Sequence, residues 1–100
     1  IDHIEEKIEK YLPNTLKTLI INGSSRVDTK ALAGVKIENI VFGKGTSSIY
    51  RDIFNDDIKM NLFMEDTIIH TGWMEGWNKG NSIYLADQWG YDEYGIPKVK

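Results

Sequence analysis

The chain has 100 residues, 41% of them apolar and 27% charged, the ordinary make-up of a single globular domain. It contains no cysteine, which excludes a disulfide framework, thiolate catalysis and cysteine-ligated zinc. The net charge of −3 is unevenly spread: residues 51–100 hold five Lys/Arg against nine Asp/Glu, so the half that carries every tryptophan stands at −4.

Phosphate backbones are bound mainly by cationic surface, so nucleic acid is not expected on the acidic half. No apolar run reaches the roughly 20 residues that a membrane-crossing helix needs, and no span is expected in this chain. The chain opens on Ile1 rather than Met, from which a processing step or boundary just upstream is expected.

Ile1, Ile4, Ile8 and Leu12 recur at helical spacing, with Glu5, Glu6, Lys7, Glu9 and Lys10 on the other side. Leu16, Leu19 and Ile20 continue the phase beyond Pro13, and Asn22-Gly23 supplies a stop. The pattern predicts one helix kinked at Pro13, or two abutting ones, over residues 2–22, whose stripe packs on a sheet or docks a partner helix or second copy. His3 falls on its charged, solvent-facing beginning. Residues 23–34 read as a linker, with Asp28 capping one turn through Leu32 and Gly34 closing it. Gly23-Ser24-Ser25 lacks the continuation of a phosphate-binding loop and reads as plain loop.

Alternating apolar residues then predict strands over 35–42, 48–54, 58–64, 67–77 and 82–86, separated by turns at Gly43-Lys44-Gly45, Asn55-Asp56-Asp57, Glu65-Asp66 and Asn78-Lys79-Gly80. The connections are short, so the strands are expected to pair with their sequence neighbours. Phe42 to Tyr50 echoes Trp77 to Tyr84, as two hairpins of similar make would. The expected fold class is α+β: an N-terminal kinked helix packed on an antiparallel β-meander of four to five strands.

Residues 67–94 hold all three tryptophans, three of the five tyrosines and one of the two histidines. Alternation along the expected strand places Trp73, Glu75 and Trp77 on one face, an apolar platform around a carboxylate. Gly72 and Gly76 leave the other face low, inviting close packing. The candidate binding residues are Trp73, Glu75, Trp77, Tyr84, Trp89 and Tyr91, and Trp77, beside the Asn78-Lys79-Gly80 turn, is expected at the surface. His70 is the natural acid–base group, with Glu65, Asp66, Glu75, Asp87 and Arg51 as available partners. No metal site and no cofactor are expected, because neither His70 nor the acidic pairs fall in a ligand spacing.

These residues predict a non-catalytic binding domain that uses the acidic, aromatic face of residues 67–94 for protein–protein interaction or inhibition, with a protein partner or a second copy of the chain. Two alternatives stay open. A helix supporting an antiparallel meander resembles the headgroup of type IV pilins, which implies an extracellular assembly or adhesion subunit; a sugar-binding role belongs to the same class. The other alternative is a small hydrolase or nuclease centred on His70.

Overall fold

The computed structural model describes residues 15–22, 26–28, 30–54 and 57–100. In chain order the strands are β1 (Thr18–Ile21), β2 (Arg26–Val27), β3 (Asn39–Phe42), β4 (Ser48–Ile49), β5 (Asn61–Met64), β6 (Ile83–Tyr84), β7 (Trp89–Tyr91) and β8 (Pro97–Val99). Thr18 lies beside Asn39, 21 residues on, Asn39 beside Asn61, 22 on, and Leu62 beside Ile83, 21 on. The result is one parallel sheet in the order β1-β3-β5-β6. A second parallel pair, β2 with β4, runs alongside and is extended by a bridge from Ile49 to Trp73. The chain therefore winds in coils, each adding one strand to both sheets, which is the architecture of a solenoid.

This overturns the expected α+β fold. Among the described residues there is no α-helix, only a 3₁₀ turn at Ala86–Gln88. The antiparallel meander is absent too, and the only antiparallel pair there is β7 with β8. The resemblance to pilin headgroups loses its basis with the meander. Residues 1–14, including His3 and most of the expected helix, lie outside the described residues, as do Gly23-Ser24-Ser25 and Asn55-Asp56.

The correction has a local cause. Leu16, Leu19 and Ile20 fit a helical stripe, but four residues of extended chain satisfy the same letters, with Leu19 and Ile21 buried and Ile20 exposed between them. Gly43-Lys44-Gly45 and Asn78-Lys79-Gly80 do turn the chain, but onward around the coil and not into a hairpin. Gly43-Lys44-Gly45 is a corner that leads from β3 into β4, with Gly45 at φ 96°. Asn78-Lys79-Gly80 is likewise a corner, with Lys79 at φ 53° and Gly80 at φ 80°, and Trp77 before it belongs to no strand. Asp28 does not cap a helical turn: its carboxylate pairs with Arg26 at 2.8 Å, and the chain turns through Ala31 N–H to Asp28 O and Ala33 N–H to Lys30 O, with Gly34 at φ 80°. The echo between Phe42–Tyr50 and Trp77–Tyr84 is not a structural repeat, since Phe42 stands in register with Met64.

The core fills the space between the two sheets. Leu19, Ile40 and Leu62 stack in one inward row and Ile21, Phe42 and Met64 in a second, and the coils' far side contributes Val27, Ile49 and Trp73. Trp77 closes this core by setting its ring edge-on to Phe42, with centroids 5.3 Å apart. At the head of the strands a polar ladder crosses the coils. Asn61 Nδ2 donates to Asn39 Oδ1 at 2.9 Å, and Asn39 Nδ2 donates to Thr18 Oγ1 at 3.2 Å. Identical amides can repeat in this way only because parallel register brings like positions together.

Gly72 is the tightest point of the winding. A Cβ built there would stand 2.1 Å from the carbonyl oxygen of Ser47, and Gly72 O accepts the Ile49 N–H at 3.0 Å. The neighbour is backbone and cannot swing aside. Gly72→Ala is expected to cost about 3 kcal/mol, the upper part of the overpacking range. Gly80→Ala, where the added carbon meets nothing within 4 Å and only the positive φ is strained, is expected to cost about 1 kcal/mol. Denaturant midpoints of the two variants check the order; equal midpoints would contradict the close approach.

Candidate functional site

The structure sorts the six candidate binding residues onto different sides of the main sheet. Trp73 and Trp77 point into the core between the sheets, 7% and 2% exposed, so Trp77 is not the surface residue that its place beside a turn suggested. Trp73 Nε1 donates to Thr46 O at 2.8 Å, which ties the third coil to the corner of the second. Glu75 is exposed, and its carbonyl accepts Arg51 Nε at 3.1 Å. Tyr84, Trp89 and Tyr91 gather on the opposite side.

That outer side has its own small core. Ile20, Val41, Phe63 and Tyr84 occupy successive positions across the sheet, alternating with the inward rows. Trp89, the first residue of β7, lies against Phe63 with centroids 5.0 Å apart and donates from Nε1 to Met64 O at 2.9 Å. Tyr84 stacks on Phe63 at 5.5 Å, and Tyr91 meets Trp89 edge-on at 5.1 Å. Trp89 is 6% exposed, whereas Tyr91 is 46% and Tyr94 is 79% exposed. The indole is thus the anchor of the β7–β8 hairpin, and the two tyrosines are what that hairpin presents to solvent. Ile96 and Val99 add exposed apolar surface to it.

An acidic corner adjoins the hairpin. Glu65 Oε1 accepts the Lys44 N–H at 3.2 Å, and both oxygens of Asp66 lie 3.2 Å from the Gly45 N–H. Carboxylates here do the work of a strand pair, satisfying corner amides that have no carbonyl opposite. Asp66 is buried, and His70 Nε2 stands 3.2 Å from its Oδ2 without the alignment of a hydrogen bond. Of the partners available to His70, the structure brings up Asp66, whose carboxylate is already committed to the corner. The described residues contain no group of three His, Cys, Asp or Glu placed to hold a metal ion. No helix among them is long and apolar enough to cross a membrane.

The expected set includes Tyr84 and Trp89 but not Phe63 and Val41, against which those two pack; Tyr91 meets Trp89. The signal was present: in β3 and β5 apolar residues occupy both faces, which an exposed sheet does not require. Comparison with known proteins yields no matching family, no similar curated protein and no similar solved structure.

Two measurements test this arrangement. Quenching of tryptophan emission by a neutral quencher is expected to be weak for all three indoles, and Trp77→Ala is expected to cost about 3–5 kcal/mol; strong quenching lost in a Trp77→Phe variant would contradict its burial. Burial first, and the Glu65 carboxylate second, push the Tyr91 phenol above its ordinary 10.0. The folded state then holds that proton more tightly than the unfolded state does. The associated stability is fully present below pH 10.0 and is lost as pH rises through the raised pKa. Tyr91→Phe is expected to remove a phenol that ionises above pH 10.0 in an absorbance titration and to soften the alkaline loss of stability; an unchanged titration would place Tyr91 elsewhere.

Proposed function

We propose that this chain is a non-catalytic domain that binds a protein partner through the exposed part of its acidic, aromatic stretch, centred on Tyr84, Tyr91 and Tyr94. The carrying observation is the division of labour among the aromatics. All three indoles are buried in the fold, while Tyr91 and Tyr94 stand exposed on a hairpin that Trp89 fixes to the sheet. Tyrosine on a rigid support supplies large amphipathic contact area at little entropic cost, which is why it is enriched at interfaces. Glu65 acts electrostatically on Tyr91, and Asp92 and Glu93 lie between Tyr91 and Tyr94, with Lys98 and Lys100 on the hairpin's return; the acids beside the tyrosines favour a basic partner. Coiled repeats suit such a role because each coil braces the next and leaves an extended surface.

Selection of displayed random peptides on the domain, with counter-selection on a Tyr91→Ala/Tyr94→Ala variant, tests the reading. Enrichment of Lys- and Arg-rich peptides that bind at least about tenfold more weakly to the variant is expected. Peptides without basic bias, or binding that the variant leaves intact while its melting curve is unchanged, would reject it.

A further inference from the structure

The two edges of the main sheet end differently. Along β1 the bonds to β3 engage alternate residues: the Lys17 carbonyl accepts the Asn39 N–H, and the Ile21 carbonyl accepts the Gly43 N–H. With Thr18 level with Asn39 and Ile20 level with Val41, Leu19 and Ile21 turn their backbone groups toward β3, and Thr18 and Ile20 turn theirs away. No other described residue bonds those outward N–H and C=O groups. At the far edge the Ala86 N–H donates to Asp66 O, so Leu85 before it faces out. There both backbone groups are taken, the Leu85 N–H by Gln88 Oε1 at 2.9 Å and the Leu85 carbonyl by the Gln88 N–H at 2.8 Å. The 3₁₀ turn thus caps the far edge and leaves Ile83 as the outward residue of β6, whereas β1 is open at two successive sites.

We infer that β1 pairs antiparallel with β1 of a second copy of this chain, about a two-fold axis at Ile20. The outward groups are those such a pairing uses: the two Ile20 residues exchange both their N–H···O bonds, and Thr18 stands opposite Asn22. The side chains match as well. Leu19 meets Ile21 on the inner side and prolongs the buried rows, Ile20 meets Ile20 on the outer side, and the Thr18 hydroxyl meets the Asn22 amide. Ile20 is 45% exposed in the single copy, so pairing covers apolar surface that the fold leaves open. Residues 18–22 carry no charge, the usual guard of an exposed edge, and Lys17 falls just outside them. Head-to-tail stacking, which would build a filament, needs both edges, and Gln88 closes one; a two-fold pairing uses the open edge twice and stops at the dimer. A few residues a side make a small interface, so the dimer is of the weak, concentration-dependent kind. Ile20 ends the outer row whose other end is Tyr84, so this contact and the tyrosine hairpin are separate and either can fail without the other.

Sedimentation over a concentration series is expected to show a reversible monomer–dimer equilibrium. In a mixture of isotope-labelled and unlabelled copies, the Leu19 Hα is expected to contact the Ile21 Hα of the other copy, since the two face each other only in the antiparallel register. Ile20→Pro removes an N–H that bonds nothing within the sheet, a change edge strands tolerate. Ile20→Lys sets like charges directly opposite one another. Both variants are expected to keep the melting curve of the dilute protein and to raise the dimer dissociation constant at least about tenfold. A single monomeric species up to about 1 mM protein would overturn the inference. So would a dimer indifferent to both variants, or one without the Leu19–Ile21 contact. Slow exchange of the Ile20 amide that persists in the monomer would overturn it too, by showing that the edge is covered within one copy.

Discussion

A parallel strand cannot reach its neighbour through a tight turn, so each pairing here obliges the chain to travel a full circuit of 21 or 22 residues before it comes back. Everything else in the molecule answers to that return. The Lys17 carbonyl receives the N–H groups of Glu38 and Asn39, and the Glu38 carbonyl receives that of Asn61, so the second circuit starts where the first did and the third where the second did. Once like positions are stacked, apolar residues stack with apolar ones and amides with amides. The core needs no helix to cover it, because the far wall of each coil does so.

Aromatic residues serve this winding in two ways. Inside, Trp73 and Trp77 fill the third coil, and the Trp73 indole reaches back to the carbonyl of Thr46. Outside, Trp89 lets the chain stop coiling: it lands on Phe63 and bonds Met64 O, and the antiparallel β7–β8 pair then lies against the sheet's outer side. Solenoids need their exposed ends and faces covered. Where the third coil carries extra residues at its corner, Asp66 grips the Gly45 amide and holds the longer loop to the regular one. Ile68 and Ile69, at 63% and 65% exposure, are the most exposed aliphatic side chains of that loop.

Part of this was legible in the sequence. Turn positions were, because glycine and Asn-Lys-Gly clusters require particular backbone angles whichever way the chain then goes. Close packing was expected at both Gly72 and Gly76 and holds at the first alone, because a Cβ at Gly76 meets nothing within 4 Å and that glycine serves its φ of 84°. The circuit length was not read, although Thr18-Leu19, Asn39-Ile40, Asn61-Leu62 and Ser82-Ile83 mark its returns. Each return is a strand of four residues or fewer between unlike connecting segments, too short for periodicity to separate strand from helix or parallel from antiparallel. Tryptophan exposure was misjudged for a related reason. A residue beside a turn is peripheral in a hairpin, but beside a corner of a coil it points into the space that the coil encloses.

Backbone nuclear Overhauser contacts between strands test the parallel winding most directly, since parallel pairs keep a constant difference in residue number and antiparallel pairs keep a constant sum. Contacts are expected to join residues 19–21 to 40–42 at an offset of 21, and residues 40–42 to 62–64 at an offset of 22. A set in which the partner number falls as the residue number rises, with residues 40–42 reaching the segment just beyond the Gly43-Lys44-Gly45 corner, would contradict it.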